Sequence, residues 1–173
     1  MTSLKSESDH INSGAIVYDV IIVGAGFAGM YMLRELRETG LNVLVLEEAT
    51  GVGGTWYWNR YPGARCDVES MEYSYSFSEE LQQEWNWRHR FSTQPEILEY
   101  ANHVADRFDL RRYIKFQTRV SSVRYDQNKQ QWLLKSSMNE EFQSRFCVMA
   151  TGTLSSVNEP KFNGIKDYQV RVF

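Results

Sequence analysis

The chain has 173 residues, which is enough for one domain with a substantial hydrophobic core. Its net charge of −3 excludes the broad cationic surface that binds nucleic acid or an anionic membrane, and its longest apolar runs are too short to cross a bilayer. The two cysteines, Cys66 and Cys147, fit no zinc-site spacing, so we expect reduced thiols in a cytoplasmic protein and no metal site.

The first regular elements form a strand–helix–strand unit. Residues 1–14 are polar and lack the apolar centre of a secretion signal, which predicts a disordered leader. Val17–Val23 is an almost continuous apolar run and predicts a strand buried on both faces. Gly24–Gly29 follows, and apolar residues then recur at helical spacing up to Gly40. With a second apolar strand at Asn42–Leu46, the pattern is typical of the first βαβ unit of a doubly wound fold.

The second half of the chain predicts two helices and then several strands. Glu79–Arg88 is expected to be a short helix, and Thr93–Glu96 (TQPE) matches a capping box that begins a longer helix ending near Leu110. The strands are expected at Tyr113–Thr118, Val120–Tyr125, Gln131–Ser136 and Phe142–Ala150, with an antiparallel meander near residues 113–137. We predict one domain over residues 15–154 and a linker over residues 155–173.

Three glycines carry the first functional signal. Gly24, Gly26 and Gly29 form a G-x-G-x-x-G motif that follows a strand, opens a helix and precedes an acid by about 20 residues, as a dinucleotide site requires. The glycines allow the tight turn and the close approach of backbone to a pyrophosphate, which the helix N–H groups then meet. Glu47 stands where an acid takes a ribose hydroxyl, with Glu48 as the alternative. This motif alone leaves FAD and NAD open, and it disfavours NADP.

A crowded aromatic segment, GGTWYWNRYPGARCD at Gly53–Asp67, carries the second signal. Its fixed positions are Gly53-Gly54, Trp56, Arg60-Tyr61-Pro62-Gly63 and Asp67, and the pattern resembles the long fingerprint of type I Baeyer–Villiger monooxygenases of the phenylacetone and steroid monooxygenase branch. The resemblance continues through Tyr73–Trp87, Thr93–Leu110 and Met149–Ser155. It implies an α/β, Rossmann-like FAD-binding fold with a parallel sheet, inserted helices and an antiparallel meander.

The resemblance also implies a reaction and a set of residues. Members of the family use NADPH, FAD and O2 to convert a ketone into an ester or lactone through a C4a-peroxyflavin, so FAD and NADPH are the expected cofactors and a ketone the expected substrate. Asp67 is the implied catalytic residue, because it would hold the family's catalytic arginine. The implied cofactor-binding residues are Gly24, Gly26, Phe27, Gly29 and Glu47 for pyrophosphate and ribose, Gly54, Thr55, Trp56, Tyr57, Trp58 and Tyr73 around the flavin, Arg65, Cys66 and Asp67 near the nicotinamide, and Val120 at the adenine.

Structural interpretations of the same residues stay open at this point. Asp67 carries a charge that needs a cation if it is buried, and it could pair with Arg60 or Arg65 as a structural ion pair. Trp56 and Trp58 could belong to the core, and Cys66 could be a packed thiol.

The chain is expected to be only the N-terminal, FAD-binding part of a longer enzyme. The sequence shows neither a second glycine-rich motif for NADPH nor the family's catalytic arginine. The isolated chain is therefore expected to bind FAD weakly at best and to turn over no ketone. The alternatives are a non-catalytic FAD-binding remnant and a related flavin-containing or N-hydroxylating monooxygenase.

Overall fold

The computed structural model describes residues 16–155, 161–167 and 169. The predicted leader, residues 1–14, lies outside these ranges, as does much of the predicted linker, residues 155–173. In chain order the elements are β1 (Val17–Val23), α1 (Phe27–Glu38), β2 (Val43–Leu46), α2 (Thr55–Trp58), α3 (Glu79–Glu84), α4 (Gln94–Arg107), β3 (Ile114–Lys115), β4 (Val120–Asp126), β5 (Gln131–Ser136) and β6 (Glu141–Met149), with 3₁₀ turns at Ser70–Tyr73, Arg111–Tyr113 and Ile165–Asp167.

The described strands form one six-stranded sheet in the order β3-β2-β1-β6-β5-β4. β1 pairs in parallel with β2 on one side and with β6 on the other, so that Val20 lies beside both Val43 and Phe146. Because β1 has a neighbour on each edge and packing on both faces, its residues Val20–Val23 are buried. This burial explains the apolar run and confirms the predicted parallel, Rossmann-like unit.

The position of the meander differs from the sequence prediction. The antiparallel pairs join β4 to β5 and β5 to β6, as in Val123↔Leu134 and Trp132↔Ser144. The predicted strand Tyr113–Thr118 is reduced to β3, which pairs in parallel with β2 at the opposite edge of the sheet. The chain turns after β3, since Gln117 has φ +54° and the Thr118 N–H donates to the Glu47 carbonyl at 2.8 Å.

Two separate clusters of apolar side chains form the core beside β1. One cluster joins α1 and α4 to the sheet through Val20, Ile22, Met30, Leu33, Val45, Ala101 and Ala105. The second cluster joins Ile21, Val23 and Leu46 to Leu134 of the meander. Alternate residues of β1 therefore contribute to different clusters, as expected for a strand buried on both faces.

The two predicted helices of the second half are present with corrected ends. α3 stops at Glu84 instead of Arg88, and its N-cap is Ser78, whose hydroxyl accepts from the Leu81 N–H at 3.2 Å. α4 begins where predicted, with a proline in its first turn, but the capping box is wrong because the Thr93 side chain makes no capping hydrogen bond. Glu96 instead turns toward the preceding loop and accepts from the Arg88 N–H at 2.5 Å.

Candidate functional site

An open cavity of about 740 Å³ lies at the carboxyl ends of β1, β2 and β6. Ligands of doubly wound sheets bind at this edge, where the loops after parallel strands converge. The cavity is lined by Val23, Gly24, Gly26, Phe27, Ala28, Leu46, Glu47, Glu48, Gly53, Gly54, Thr55, Trp56, Trp58, Tyr73, Thr118, Arg119, Val120, Met149, Ala150, Thr151, Gly152, Leu154 and Ser155.

The glycine turn after β1 is built by close backbone contacts. A β-carbon at Gly29 would lie 1.9 Å from the Gly24 carbonyl oxygen, so Gly29 lets α1 approach the strand, although it does not itself line the cavity. Gly54 has φ +55°, and a β-carbon there would lie 2.9 Å from the α-carbon of Gly26. The Gly53 N–H also donates to the Ala25 carbonyl at 3.0 Å. The two glycine segments, far apart in the sequence, therefore meet at one side of the cavity.

The N-terminus of α1 opens into the cavity. Its N-cap is Gly26, which offers no side-chain hydrogen bond, and the first turn contains no acidic residue. Gly26, Phe27 and Ala28 line the cavity. The uncapped N–H groups and the positive end of the helix dipole make this turn suited to an anionic group such as a phosphate.

Glu47 is buried at the end of β2, with 5% of its surface exposed. Its carboxylate accepts from the Ala25 N–H at 2.5 Å and from the Ala49 N–H at 2.8 Å. These bonds offset part of the cost of burying the charge, and they tie β2 to the glycine turn. Glu47 therefore lines the cavity at the position predicted for a ribose contact, and it also supports the turn, a role that the motif did not indicate.

An aromatic wall faces the glycine turn. Trp56 is buried, with its ring centroid 5.5 Å from that of Tyr73, and Tyr73 in turn lies 5.7 Å from the ring of Phe27. Burial raises the pKa of Tyr73, which keeps its hydroxyl protonated. Trp58 is 48% exposed at the rim. The side chain of Trp56 packs against Cys66 and Ile97, as the core interpretation predicted, and it also lines the cavity.

Two parts of the lining were missed by the sequence analysis. Ala150–Ser155 follows β6 and lies beside the first glycine turn, because the Ala150 N–H donates to the Val23 carbonyl at 2.9 Å. The sequence predicted a strand that ends at Ala150, and the pairing of β6 with β1 places the residues that follow at the cavity. Thr118 and Arg119, beside the predicted Val120, line the end near Glu48. No motif marked them.

Several predicted site residues lie outside the cavity. Tyr57 points toward Thr50, and its hydroxyl lies 2.6 Å from the Thr50 hydroxyl, a hydrogen bond that lowers the pKa of Tyr57. Cys66 is a buried free thiol in the core behind Trp56, as the packing interpretation predicted. Arg65 and Asp67 are exposed on either side of Cys66 and do not line the cavity.

Asp67 has no ion pair among residues 16–155 and 161–167. Arg60 donates instead to the Tyr57 carbonyl at 2.7 Å and stacks over the Tyr57 ring, and Arg65 forms a backbone bridge with Thr93. The structural ion pair with Arg60 or Arg65 is therefore wrong. The described part of the chain leaves the carboxylate of Asp67 at the surface.

The segment that carries Asp67 is held by a buried polar network. The Cys66 N–H donates to the Ser92 carbonyl at 3.0 Å, and the Ser70 N–H donates to the Arg90 carbonyl at 2.8 Å. The Ser70 and Ser92 hydroxyls lie 2.7 Å apart. The loop before α4 thus fixes the backbone on both sides of Asp67.

Glu96 holds that loop in turn. Its side chain is 2% exposed, and it binds the Arg88 N–H at 2.5 Å and the His89 Nδ1 at 2.9 Å. Burial by itself would raise the pKa of Glu96, but the hydrogen bonds from His89 and the Arg88 backbone outweigh burial and lower the pKa. The carboxylate is therefore the favoured form in the folded chain.

Proteins of known activity resemble this chain in sequence and in fold. A Baeyer–Villiger monooxygenase from Pseudooceanicola batsensis is 47% identical over 156 residues, which cover 90% of this chain and 29% of that protein. The solved structure of an oxidized steroid monooxygenase bound to NADP is 56% identical, with a TM-score of 0.82, over 87% of this chain and 29% of that one. The structure of OTEMO in complex with FAD and NADP is 40% identical, with a TM-score of 0.81, over 87% and 29% of the two chains.

The chain thus spans less than a third of the length of these relatives. Within the residues that the structure describes, no helix is long and apolar enough to cross a membrane. The resemblance to Baeyer–Villiger monooxygenases is confirmed by these similarities. A family model for pyridine nucleotide-disulphide oxidoreductases matches residues 21–173, and the chain belongs to that family.

Proposed function

We propose that this chain is the FAD-binding part of an FAD- and NADPH-dependent Baeyer–Villiger monooxygenase, with residues 15–154 as the FAD-binding domain and 155–173 as a linker. The complete enzyme would insert one oxygen of O2 next to a ketone carbonyl and release an ester or lactone. The observation that carries the proposal is that an uncapped helix N-terminus, a buried acid and an aromatic wall all line one cavity.

The residues present fit an FAD molecule. The glycine turn and the α1 N-terminus would hold its pyrophosphate, Glu47 its ribose, and Thr118–Val120 its adenine end. Gly54, Thr55, Trp56, Trp58 and Tyr73 would border the flavin. When bound, the flavin would supply the oxygen-transfer chemistry, and the protein would supply binding, orientation and exclusion of water.

Asp67 would act in the complete enzyme, where its exposed carboxylate would hold a cation supplied by the remainder of the protein. Arg65 would border the nicotinamide from the same segment, whereas the buried thiol of Cys66 packs behind Trp56. The buried network from Cys66 to Ser92 supports this role, because it fixes the backbone on both sides of Asp67 while leaving its carboxylate accessible. We place the enzyme in the cytoplasm, in keeping with the free thiols of Cys66 and Cys147.

FAD titration of the purified chain tests the proposal directly. Flavin and tryptophan fluorescence should report saturable binding, since Trp56 and Trp58 line the cavity. Gly26→Leu should block binding without unfolding the chain, because Gly26 lines the cavity and its φ of −75° suits any residue. Glu38→Ala, on the exposed end of α1, is the matched control. Equal FAD binding by Gly26→Leu and the control would contradict the proposed site.

Turnover is a separate test. We propose that the isolated chain oxidises no ketone, because Asp67 has no cation beside it in the described residues. NADPH consumption and ester formation would be measured with FAD and phenylacetone. Formation of the ester by the isolated chain would contradict the assignment of this chain as an incomplete part.

A further inference from the structure

A single positive charge borders the cavity in the part of the chain that the structure describes. Of the lining residues, Glu47 and Glu48 are acidic and Arg119 alone is basic. Arg119 does not lie at the uncapped turn of α1, where phosphates are expected. It lies in the segment beside Glu48 and Val120, past the end of β2. Its position therefore calls for a role other than binding the pyrophosphate.

The order of groups around the cavity indicates what lies beside Arg119. If a dinucleotide binds as proposed above, on which this inference rests, its pyrophosphate occupies the α1 N-terminus and its ribose meets Glu47. The base attached to that ribose then continues away from α1. The residues beyond Glu47 on this path are Glu48, Thr118, Arg119 and Val120.

The backbone of Arg119 is fixed, whereas its side chain is free to turn. The Ser137 N–H donates to the Arg119 carbonyl at 2.8 Å, and the Thr118 N–H donates to the Glu47 carbonyl at 2.8 Å. The Arg119 side chain is 67% exposed and reaches Glu48 at 3.4 Å. An exposed ion pair of this kind contributes little to stability, so the guanidinium can leave it at small cost.

We propose that Arg119 binds the adenine of the cofactor by placing its planar guanidinium over one face of the base, with Glu48 holding the side chain beside the cavity before the cofactor enters. A planar guanidinium stacks on aromatic rings and is attracted to their π-electrons, whereas the compact ammonium group of lysine cannot stack in this way. Removal of such a contact should weaken binding by about two- to thirtyfold.

A competing role for Arg119 is binding of a ribose 2′-phosphate, which would make the cavity an NADP site. An arginine near the ribose serves this purpose in some dinucleotide sites. Here the carboxylates of Glu47 and Glu48 line the same end of the cavity and would repel a phosphate dianion. The charges of this end therefore favour an adenosine without a 2′-phosphate.

The test compares ligands with and without adenine. Dissociation constants for FAD, NADP⁺, ADP and FMN would be measured for the wild-type chain, Arg119→Ala, Arg119→Lys and the control Arg124→Ala, which changes an exposed arginine of β4 outside the cavity. Arg119→Ala should weaken FAD and ADP by the same factor and leave FMN unchanged. Arg119→Lys should restore only part of the loss, and the loss should persist at high salt, since stacking is screened less than a charge pair.

Each contrary outcome has a distinct meaning. If wild-type chain binds FAD and Arg119→Ala binds it equally well, the role of Arg119 is overturned while the proposed function stands. An equal loss for FMN, abolished by salt, would make Arg119 a phosphate contact and would also overturn it. If NADP⁺ binds more tightly than FAD and Arg119→Ala loses this preference, Arg119 binds a ribose 2′-phosphate and the adenine contact is overturned. Failure of the wild-type chain to bind FAD or ADP would overturn both the inference and the proposed function.

Discussion

The α-carbon of Gly29 lies so close to the carbonyl oxygen of Gly24 that a β-carbon at position 29 would stand 1.9 Å from that oxygen. The obstacle is backbone, so it cannot move aside as a flexible side chain could. The contact brings the first turn of α1 against the end of β1, and it sets the shape of the glycine turn that borders the cavity.

Gly29→Ala should therefore destabilise the chain and abolish binding of FAD. Alanine is the better helix former by about 1 kcal/mol. The overlap with backbone should exceed that gain, for a net loss of about 1–3 kcal/mol in the free energy of unfolding. Urea denaturation followed by far-ultraviolet circular dichroism measures the loss, with Glu38→Ala in the same helix as the control. A Gly29→Ala chain as stable as the control would contradict the role of the contact.

Gln94 should be essential for the aromatic wall. Its buried side-chain amide donates to the Trp56 carbonyl at 2.5 Å and supplies a partner for the open end of α2, a single turn. Gln94→Ala should leave that carbonyl without its partner and cost about 1–3 kcal/mol of stability. Gln83→Ala removes an exposed amide of α3 and should cost much less. Tryptophan emission should shift in Gln94→Ala only; identical spectra and midpoints for the two variants would argue against the prediction.

The sequence predicted the βαβ unit well because the burial of β1 and the contacts of Gly24–Gly29 are local in sequence and depend on few residue types. The resemblance also singled out Trp56 within the fingerprint and Tyr73 beyond it, and both line the cavity. The contribution of Ala150–Ser155 was missed because it depends on β6 pairing with β1, a contact between distant segments. Asp67 was expected to need a cation if buried, and its exposure follows from the fold of the Cys66–Ser70 segment against the Ser92 loop.

Protonation of the Glu96 carboxylate should destabilise the chain in acid. Because the pKa of Glu96 is lower in the folded chain than its usual value, its contribution to stability is present above the unfolded pKa of about 4.3. That contribution should be lost as the pH falls through the folded pKa. Glu96→Gln should therefore destabilise the chain at neutral pH and flatten its stability profile below about pH 4.3.

The control for Glu96 is Glu99→Gln on the same helix, where the carboxylate is 59% exposed and binds Arg88. Thermal unfolding between neutral and acid pH would be followed for both variants. Glu99→Gln should keep the wild-type profile, because an exposed ion pair contributes little. The same acid dependence in Glu96→Gln and the wild-type chain would show that another group controls acid stability.

Removal of the charge should destabilise the chain at Glu47 and have little effect at Asp67. The Ala25 and Ala49 N–H groups each donate to one carboxylate oxygen of Glu47. In Glu47→Gln, one of these oxygens is replaced by an NH2 group, which is itself a donor. The substitution should therefore cost about 1–3 kcal/mol of stability and weaken the binding of FAD. Asp67→Asn changes an exposed carboxylate without an ion pair in the described residues and should stay within about 0.5 kcal/mol of the wild-type chain. FAD affinity should be unchanged in Asp67→Asn.

In the complete enzyme the same substitution should lower kcat, because the carboxylate would no longer hold the cation assigned to it. A fall in stability or FAD affinity of the isolated Asp67→Asn chain would instead make Asp67 a structural or cofactor-binding residue of this domain.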